Sequence, residues 1–231
     1  ELEFEKVYAP FLLLKKKRYV GNKFDEGRSP PVLDAKGVEM VRRDNFPLLP
    51  ATMQQCVKHL MENDVDSALR HVASVLTYVR TEEHLDTALF TISKELTKPP
   101  SEYSAKPPHV VVATRIPHAT HERVPYVVSN AYGNIGEKAK HPTEIQEHEI
   151  DREWYTLQLQ KSLQRLLVYC CPESKLKQTF AAGKENEIFS NGKAPILVAL
   201  GATHDRVCRK RKQHESSQIE KKRQMTLNQF F

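Results

Sequence analysis

No apolar stretch in the chain approaches the roughly 20 residues that a membrane-spanning helix needs. There is neither an initiator Met nor the charged-then-apolar pattern of a secretory leader. Because it opens directly on a strand-like segment, the chain reads as a fragment, or as a chain whose partner precedes it. Cysteine is scarce: Cys56, Cys170, Cys171 and Cys208, with no C-x-x-C pair among them. That spacing argues against a zinc or iron–sulfur centre. Adjacent Cys170 and Cys171, at an apparent helix end, read as packing residues. The expectation is reduced thiols in an intracellular protein. No internal repeat is present.

What is present fits a folded soluble protein. The 231 residues suffice for one large domain or one and a half small ones, and 39% are hydrophobic against 28% charged. Net charge is +6, but the window His204–Arg223 holds eight Lys and Arg against three Asp and Glu. The rest of the chain is nearly neutral, so any grip on a polyanion there must come from local patches.

The most pointed patch is near the start. Leu2-Glu3-Phe4-Glu5-Lys6-Val7-Tyr8 leads, after Pro10, to Phe11-Leu12-Leu13-Leu14-Lys15-Lys16-Lys17-Arg18-Tyr19-Val20-Gly21. The continuous apolar run predicts a buried strand that surfaces where the charges begin. Side chains alternate along a strand, which puts Lys15, Lys17 and Tyr19 on one face and Lys16 and Arg18 on the other. Lys and Tyr together on a sheet suit a phosphate backbone and a base-pair edge. On the charges alone, a solvated strand end is the plainer account.

This order, continued by Lys36-Gly37-Val38-Glu39-Met40-Val41-Arg42-Arg43-Asp44, resembles the C-terminal part of a family B DNA polymerase of the cellular delta type or its large-DNA-virus relatives. The resemblance implies that the segment closes the palm domain. It also implies that the family's Lys-x-Tyr element, here Lys17-Arg18-Tyr19, holds the primer strand beside the active site, with Lys15, Lys16 and Arg18 as further DNA contacts. The delta type carries cysteine clusters in a C-terminal extension. Their absence here tilts the expectation towards a viral source.

Further on, Asn22 to Pro31 reads as a hairpin loop and Val32–Val38 as the return strand. Met53, Cys56, Val57, Leu60 and Met61 recur at i, i+3, i+4, i+7 and i+8, one apolar helical face with Pro50 in the first turn. Asn63-Asp64 caps a second helix with the stripe Val65, Ala68, Leu69, Val72, Leu76 and Val79. A third apolar segment runs from Leu85 to Leu96, before Pro99-Pro100. Gly133 to Pro142 reads as a polar loop. Ile150-Asp151 opens the clearest helix, with Asp151 as N-cap and Ile150 stapled to Tyr155. Trp154, Leu157, Leu163, Leu166 and Leu167 supply its apolar contacts down to Cys170, and Pro172 stops it.

Lys94-Glu95-Leu96-Thr97, Tyr103 and Pro108-His109-Val110 to Arg115 resemble the thumb signature of the same family. Arg123-Val124-Pro125-Tyr126-Val127-Val128 matches its R-V-P-Y-V-I strand, with His121-Glu122 where Gly-Asp is usual. Ile150–Leu159 resembles its late thumb helix, with Trp154 in place of Tyr as a packing anchor. The resemblance implies DNA contacts from Lys94, Tyr103, His109, Arg115 and Arg123. Yet a lone His beside an apolar run is ordinarily a satisfied structural residue. Arg115 and Arg123 fit structural ion pairs as well as phosphate contacts.

From about Lys184 the periodicity fades. Pro195–Leu200 reads as a short strand or helix scrap, and the chain beyond Gly201 as a mobile tail. The final Gln224-Met225-Thr226-Leu227-Asn228-Gln229-Phe230-Phe231 fits Q-x-x-[aliphatic]-x-x-[aromatic]-[aromatic], the peptide that docks on sliding clamps. One helical turn gathers Leu227, Phe230 and Phe231 into an apolar plug, with Gln224 bonding alongside. Arg209-Lys210-Arg211-Lys212 reads as a nuclear import run or as non-specific DNA affinity.

The expected fold class is α+β: a palm-end β-hairpin in residues 1–45, a mainly helical thumb in 46–200 and a basic tail in 201–231. No metal ligands and no catalytic residues are expected in this chain. The family's metal-binding carboxylates, one set in a Tyr-Gly-Asp-Thr-Asp signature, have no counterpart, and Asp34 and Asp44 fall at non-catalytic positions. The implied function is DNA-templated DNA synthesis with Mg²⁺ in the complete polymerase, this chain supplying duplex grip and clamp docking. The partners are primer–template DNA, a sliding clamp and the remaining palm, fingers and exonuclease. The location is the nucleus or an intracellular replication site, with no membrane. The alternative is a stand-alone, clamp-tethered DNA-binding module without enzymatic activity.

Overall fold

The basic run folds back on itself instead of extending one strand. In the computed structural model, which describes residues 6–25 and 30–184, β1 (Val7–Lys15) ends at the first lysine and β2 (Arg18–Phe24) begins at the arginine. Lys16 and Lys17 make the turn, and Lys17 takes a left-handed φ of 64°, as tight hairpin turns demand. The expected alternation of faces through Lys15–Tyr19 is therefore replaced by cross-strand pairs, Lys15 with Arg18 and Leu13 with Tyr19. A turn leaves both central lysines in water, where a continued strand would press alternate charges towards the sheet's packed side.

β1 is also not the buried strand its composition predicts. It lies at the edge of a sheet ordered β1-β2-β3, with Phe11 46% and Leu13 62% exposed. Hydropathy registers a capacity for burial and does not supply a covering partner. The residues this sheet does bury are Val20 and Gly21, on the strand that meets α1 (Leu48–Met61). β3 (Val32–Lys36) is the expected return strand, pairing Tyr19 with Lys36 and Gly21 with Asp34. The first segment is thus a three-stranded antiparallel sheet, not a lone hairpin. Its second loop starts after Phe24, since Asn22 and Lys23 are still paired.

The helical core follows the predicted stripes closely. Along α1, Met53, Cys56, Val57 and Leu60 are buried and Met61 is half-buried. α2 (Val65–Thr81) is capped by Asp64, whose carboxylate accepts the Ser67 N–H at 2.9 Å, satisfying one of the helix's orphan donors. Its buried stripe gains Val75, while Val65 at the entrance is half-buried. The third apolar segment splits into α3 (Thr87–Phe90) and β4 (Ile92–Glu95).

β4 pairs with β5 (Arg123–Val128), which is the strand the sequence indicates. β6 (Ala139–Lys140) completes this second antiparallel sheet from within the stretch read as a loop. α4 (Pro108–Arg115) sits between β4 and β5 in the chain and packs on β5.

α5 (Arg152–Leu167) is capped as expected: the Asp151 carboxylate accepts the Trp154 N–H at 2.9 Å. One expected contact fails. Leu157 is 44% exposed, and the buried stripe is Tyr155, Leu159, Leu163, Leu166 and Leu167. Leu157 lies two residues from Tyr155 and from Leu159, about 200° round the helix from each, and so faces away. Tyr155 anchors the whole arrangement. Its hydroxyl donates to the Phe90 carbonyl at 2.7 Å and accepts the Val128 N–H at 2.9 Å. The rings of Phe46 and Phe90 meet it edge-on at 4.9 and 5.0 Å.

Pro172 both follows the end of α5 and opens α6 (Glu173–Ala181), a helix the sequence pattern did not announce. α6 packs on α2. Its Phe180 carbonyl accepts Arg80 at 3.1 Å and Gln160 at 2.9 Å.

Helices and small antiparallel sheets together make an α+β fold. The segment Pro195–Leu200, the basic import run and the C-terminal clamp peptide lie outside the described residues.

Candidate nucleic-acid interface

The hairpin presents two kinds of surface. At its tip, Lys15, Lys16 and Lys17 are exposed, and among the described residues none is held in an ion pair. Behind the tip, Tyr8, Phe11 and Tyr19 form a ring cluster with centroids 5.1 to 5.8 Å apart. Gly21 makes room for it: a β-carbon there would meet the Phe11 ring and the Pro10 carbonyl at 2.9 Å. The Tyr8 hydroxyl donates to Asp34 Oδ2 at 2.5 Å. That carboxylate, and then the neighbouring Tyr19 hydroxyl, hold the Tyr8 phenol well above its ordinary value. Tyr19 therefore sits on a stiff aromatic platform beside the basic tip, across from Lys36.

Arg18 is set apart from the lysines. Its guanidinium lies 3.8 Å from Glu39, which is only 7% exposed and also accepts Arg165 of α5 at 3.0 Å. Beside them, Leu14, Lys15, Lys161, Gln164, Val168 and Tyr169 help line a groove of about 430 Å³ between the hairpin and α5. Sequence reasoning missed Glu39 and Arg165 as partners. They stand 126 residues apart, and neither belongs to a recognisable local pattern.

Of the later candidates, three come together. The Tyr103 hydroxyl bonds the Thr97 backbone N–H at 3.0 Å and Thr97 Oγ1 at 2.9 Å. The Tyr103 ring meets His109 edge-on at 6.2 Å and lies under the Lys98 ammonium at 5.1 Å. His109, near the start of α4, is 8% exposed, and its Nδ1 is buried without a hydrogen-bond partner. Burial, and then the Lys94 ammonium, hold its imidazole below the ordinary histidine value. Lys94, Tyr103 and His109 thus form one small neighbourhood where β4 and α4 meet.

The two arginines are occupied structurally. Arg115 donates to the Ala139 carbonyl at 2.5 Å and lies 3.7 Å from Glu144. Arg123 donates to Ser93 Oγ at 3.2 Å, to the Arg43 carbonyl at 2.9 Å and to the Ser93 carbonyl. These contacts tie α4 to β6, and β5 to both β4 and the chain leaving the first sheet. Backbone carbonyls do not neutralise a guanidinium, so Arg123 keeps its full charge at the surface.

Among the described residues, no three His, Cys, Asp or Glu side chains gather as they would to hold a metal ion.

Comparisons with known proteins show what the chain is similar to. The family model for DNA polymerase family B matches residues 1–169. The DNA polymerase delta catalytic subunits of Caenorhabditis elegans and Drosophila melanogaster are each 38% identical over 179 residues, covering 72% of this chain and 16% of theirs. That of Mesocricetus auratus is 33% identical over 196 residues, covering 79% and 18%. The chain therefore spans less than a fifth of the length of these curated relatives. A solved family B DNA polymerase from the archaeon Pyrobaculum calidifontis shares the fold, with a TM-score of 0.51 at 22% identity over 67% of this chain and 21% of that one. With the basic hairpin, the capped helices and the R-V-P-Y strand all inside or beside the matched span, the chain belongs to the family B DNA polymerases.

Proposed function

We propose that this chain is the duplex-gripping and clamp-tethering part of a replicative DNA-directed DNA polymerase. In this reading residues 1–45 close the palm, 46–200 form the thumb, and 201–231 carry a basic tail with the clamp peptide. The observation that supports it best is the exposed Lys15-Lys16-Lys17 tip beside the Tyr8–Phe11–Tyr19 platform, in a chain of this family. Ammonium groups with no carboxylate partner among the described residues are available for phosphates, and a held tyrosine suits a sugar or base edge. Lys94, Tyr103 and His109 form a second, smaller contact on the thumb. Nucleotidyl transfer belongs to carboxylates and Mg²⁺ elsewhere in the complete enzyme.

Gln224, Leu227, Phe230 and Phe231 dock on a sliding clamp, and Arg209-Lys210-Arg211-Lys212 direct import to the nucleus, where the delta-type relatives suggest a replication role.

The test is binding of a primer–template duplex by the full chain, followed by fluorescence anisotropy over a series of salt concentrations. Lys16→Ala with Lys17→Ala should weaken binding and lower the salt slope by about one to two, as expected for one or two lost phosphate contacts. An unchanged dissociation constant and slope would remove the hairpin from the interface.

A further inference from the structure

The basic tip is held by more than its own two strands. Immediately after β3, Gly37 passes beneath it with a φ of +67°, so close that a β-carbon would stand 2.4 Å from the Lys17 carbonyl oxygen and 3.1 Å from Arg18 Cγ. Two residues later, Glu39 enters the short 3-10 turn Glu39–Val41 with its carboxylate buried. One oxygen of that carboxylate receives both guanidiniums, Arg165 at 3.0 Å and Arg18 at 3.8 Å. Arg165 rides on α5, which Tyr155 fastens to the core. A continuous physical connection thus runs from α5 through Arg165, Glu39 and Arg18 to the turn.

Glu39 offsets the mutual repulsion of the cations around it, yet it works against a phosphate ligand. Among the described residues it is the one acidic side chain lining a groove that also contains Lys15, Arg18, Lys161 and Arg165. Taken as a bare charge, it repels phosphate. Burying it also carries a desolvation cost that is offset only with good geometry to its partners. We propose that Glu39 is the positioning residue of the basic hairpin: it clamps Arg18 to Arg165 and thereby fixes the angle at which Lys16 and Lys17 meet a duplex. This inference rests on the reading above that the tip contacts DNA.

The two effects of Glu39 have opposite signs, which makes the test decisive. In the full chain, Glu39→Gln removes a negative charge. A mere bystander carboxylate would leave primer–template binding unchanged or tighter. A positioning residue instead gives weaker binding, by about five-fold or more on the scale of coupling between contacting residues, with no change in salt slope because no phosphate contact is deleted. The loss should vanish when Glu39→Gln is made on top of Lys16→Ala/Lys17→Ala, since there is then no tip to aim. An equal loss in both backgrounds would show a general defect and overturn the inference, as would binding that is unchanged or tighter.

Should Glu39→Gln fail to fold, Arg165→Gln on the exposed side of α5 loosens the same clamp. Weaker binding at constant salt slope supports positioning. A lowered slope makes Arg165 a direct phosphate contact and overturns it. If Lys16→Ala/Lys17→Ala itself binds like the parent chain, the DNA reading fails first, and this inference falls with it.

Discussion

A β-carbon on Gly37 would stand 2.4 Å from the carbonyl oxygen of Lys17, and Gly37 holds a φ of +67°. Both the space and the backbone conformation call for glycine, because the neighbouring atom is main chain and cannot rotate away. Gly37→Ala should therefore lower stability by about 1–3 kcal/mol through left-handed strain and displacement of the turn. It should also weaken duplex binding, because the lysine tip has to shift. Urea unfolding and anisotropy on the same sample check this. A variant with the parent's midpoint would mean that the turn does not sit on Gly37.

The face of α5 is equally checkable. Leu159 is fully buried, while Leu157, two residues earlier, is 44% exposed. Leu159→Ala should cost about 2–5 kcal/mol from lost burial and the cavity left behind. Leu157→Gln should stay within about 0.5 kcal/mol of the parent. Comparable losses at the two positions in denaturant unfolding would show that the helix is turned differently.

High pH should weaken the fold for a definite reason. Burial pushes the Cys56 thiol from 9.0 up to about 12. Burial, and then the Asp44 carboxylate, push the Tyr126 phenol from 10.0 up to about 12. In the unfolded chain both groups ionise near their ordinary values. Between those values and pH 12 the unfolded state binds fewer protons than the folded one, so stability falls as pH rises. The contribution is fully present below about pH 9 and lost towards pH 12. Urea midpoints at a series of alkaline pH values should decline, and Cys56→Ala should flatten the decline. A midpoint constant through this window would place both groups in water.

The clamp peptide lies outside the described residues and is tested separately. Burying Leu or Phe contributes roughly 1.5–3 kcal/mol each, enough for a reversible hold after ordering costs. A tether converts that hold into a high local concentration at the primer end. Phe230→Ala with Phe231→Ala should abolish clamp-stimulated long products of the complete polymerase, with single-nucleotide insertion intact. Persistent clamp response would make the motif a coincidence. Lost insertion without clamp would place the two rings in the fold instead.

Helix caps, the main helical stripes and one strand were legible in the amino-acid order. Asp64 and Asp151 cap the helices they were expected to cap, the α2 stripe is the core face, and Arg123–Val128 is a strand. Each of these signals is carried by residues within a few positions of one another, where periodicity and capping act. The blocks that carried the family resemblance are likewise short and local, and they fall within residues 1–169, which the family model matches. The basic hairpin was legible as a composition and not as a shape.

Tertiary structure decided the remainder. It turned the chain at Lys16-Lys17 and left Phe11 and Leu13 exposed on an edge strand. It brought Lys94, Tyr103 and His109 together while binding Arg115 and Arg123 to backbone carbonyls. It also set Glu39 between arginines that precede it by 21 residues and follow it by 126. A lysine, an arginine or a glutamate carries the same charge wherever the chain takes it. Only the packing of distant segments determines whether that charge meets water, a carbonyl or an opposite charge, and no local pattern in the sequence records that choice.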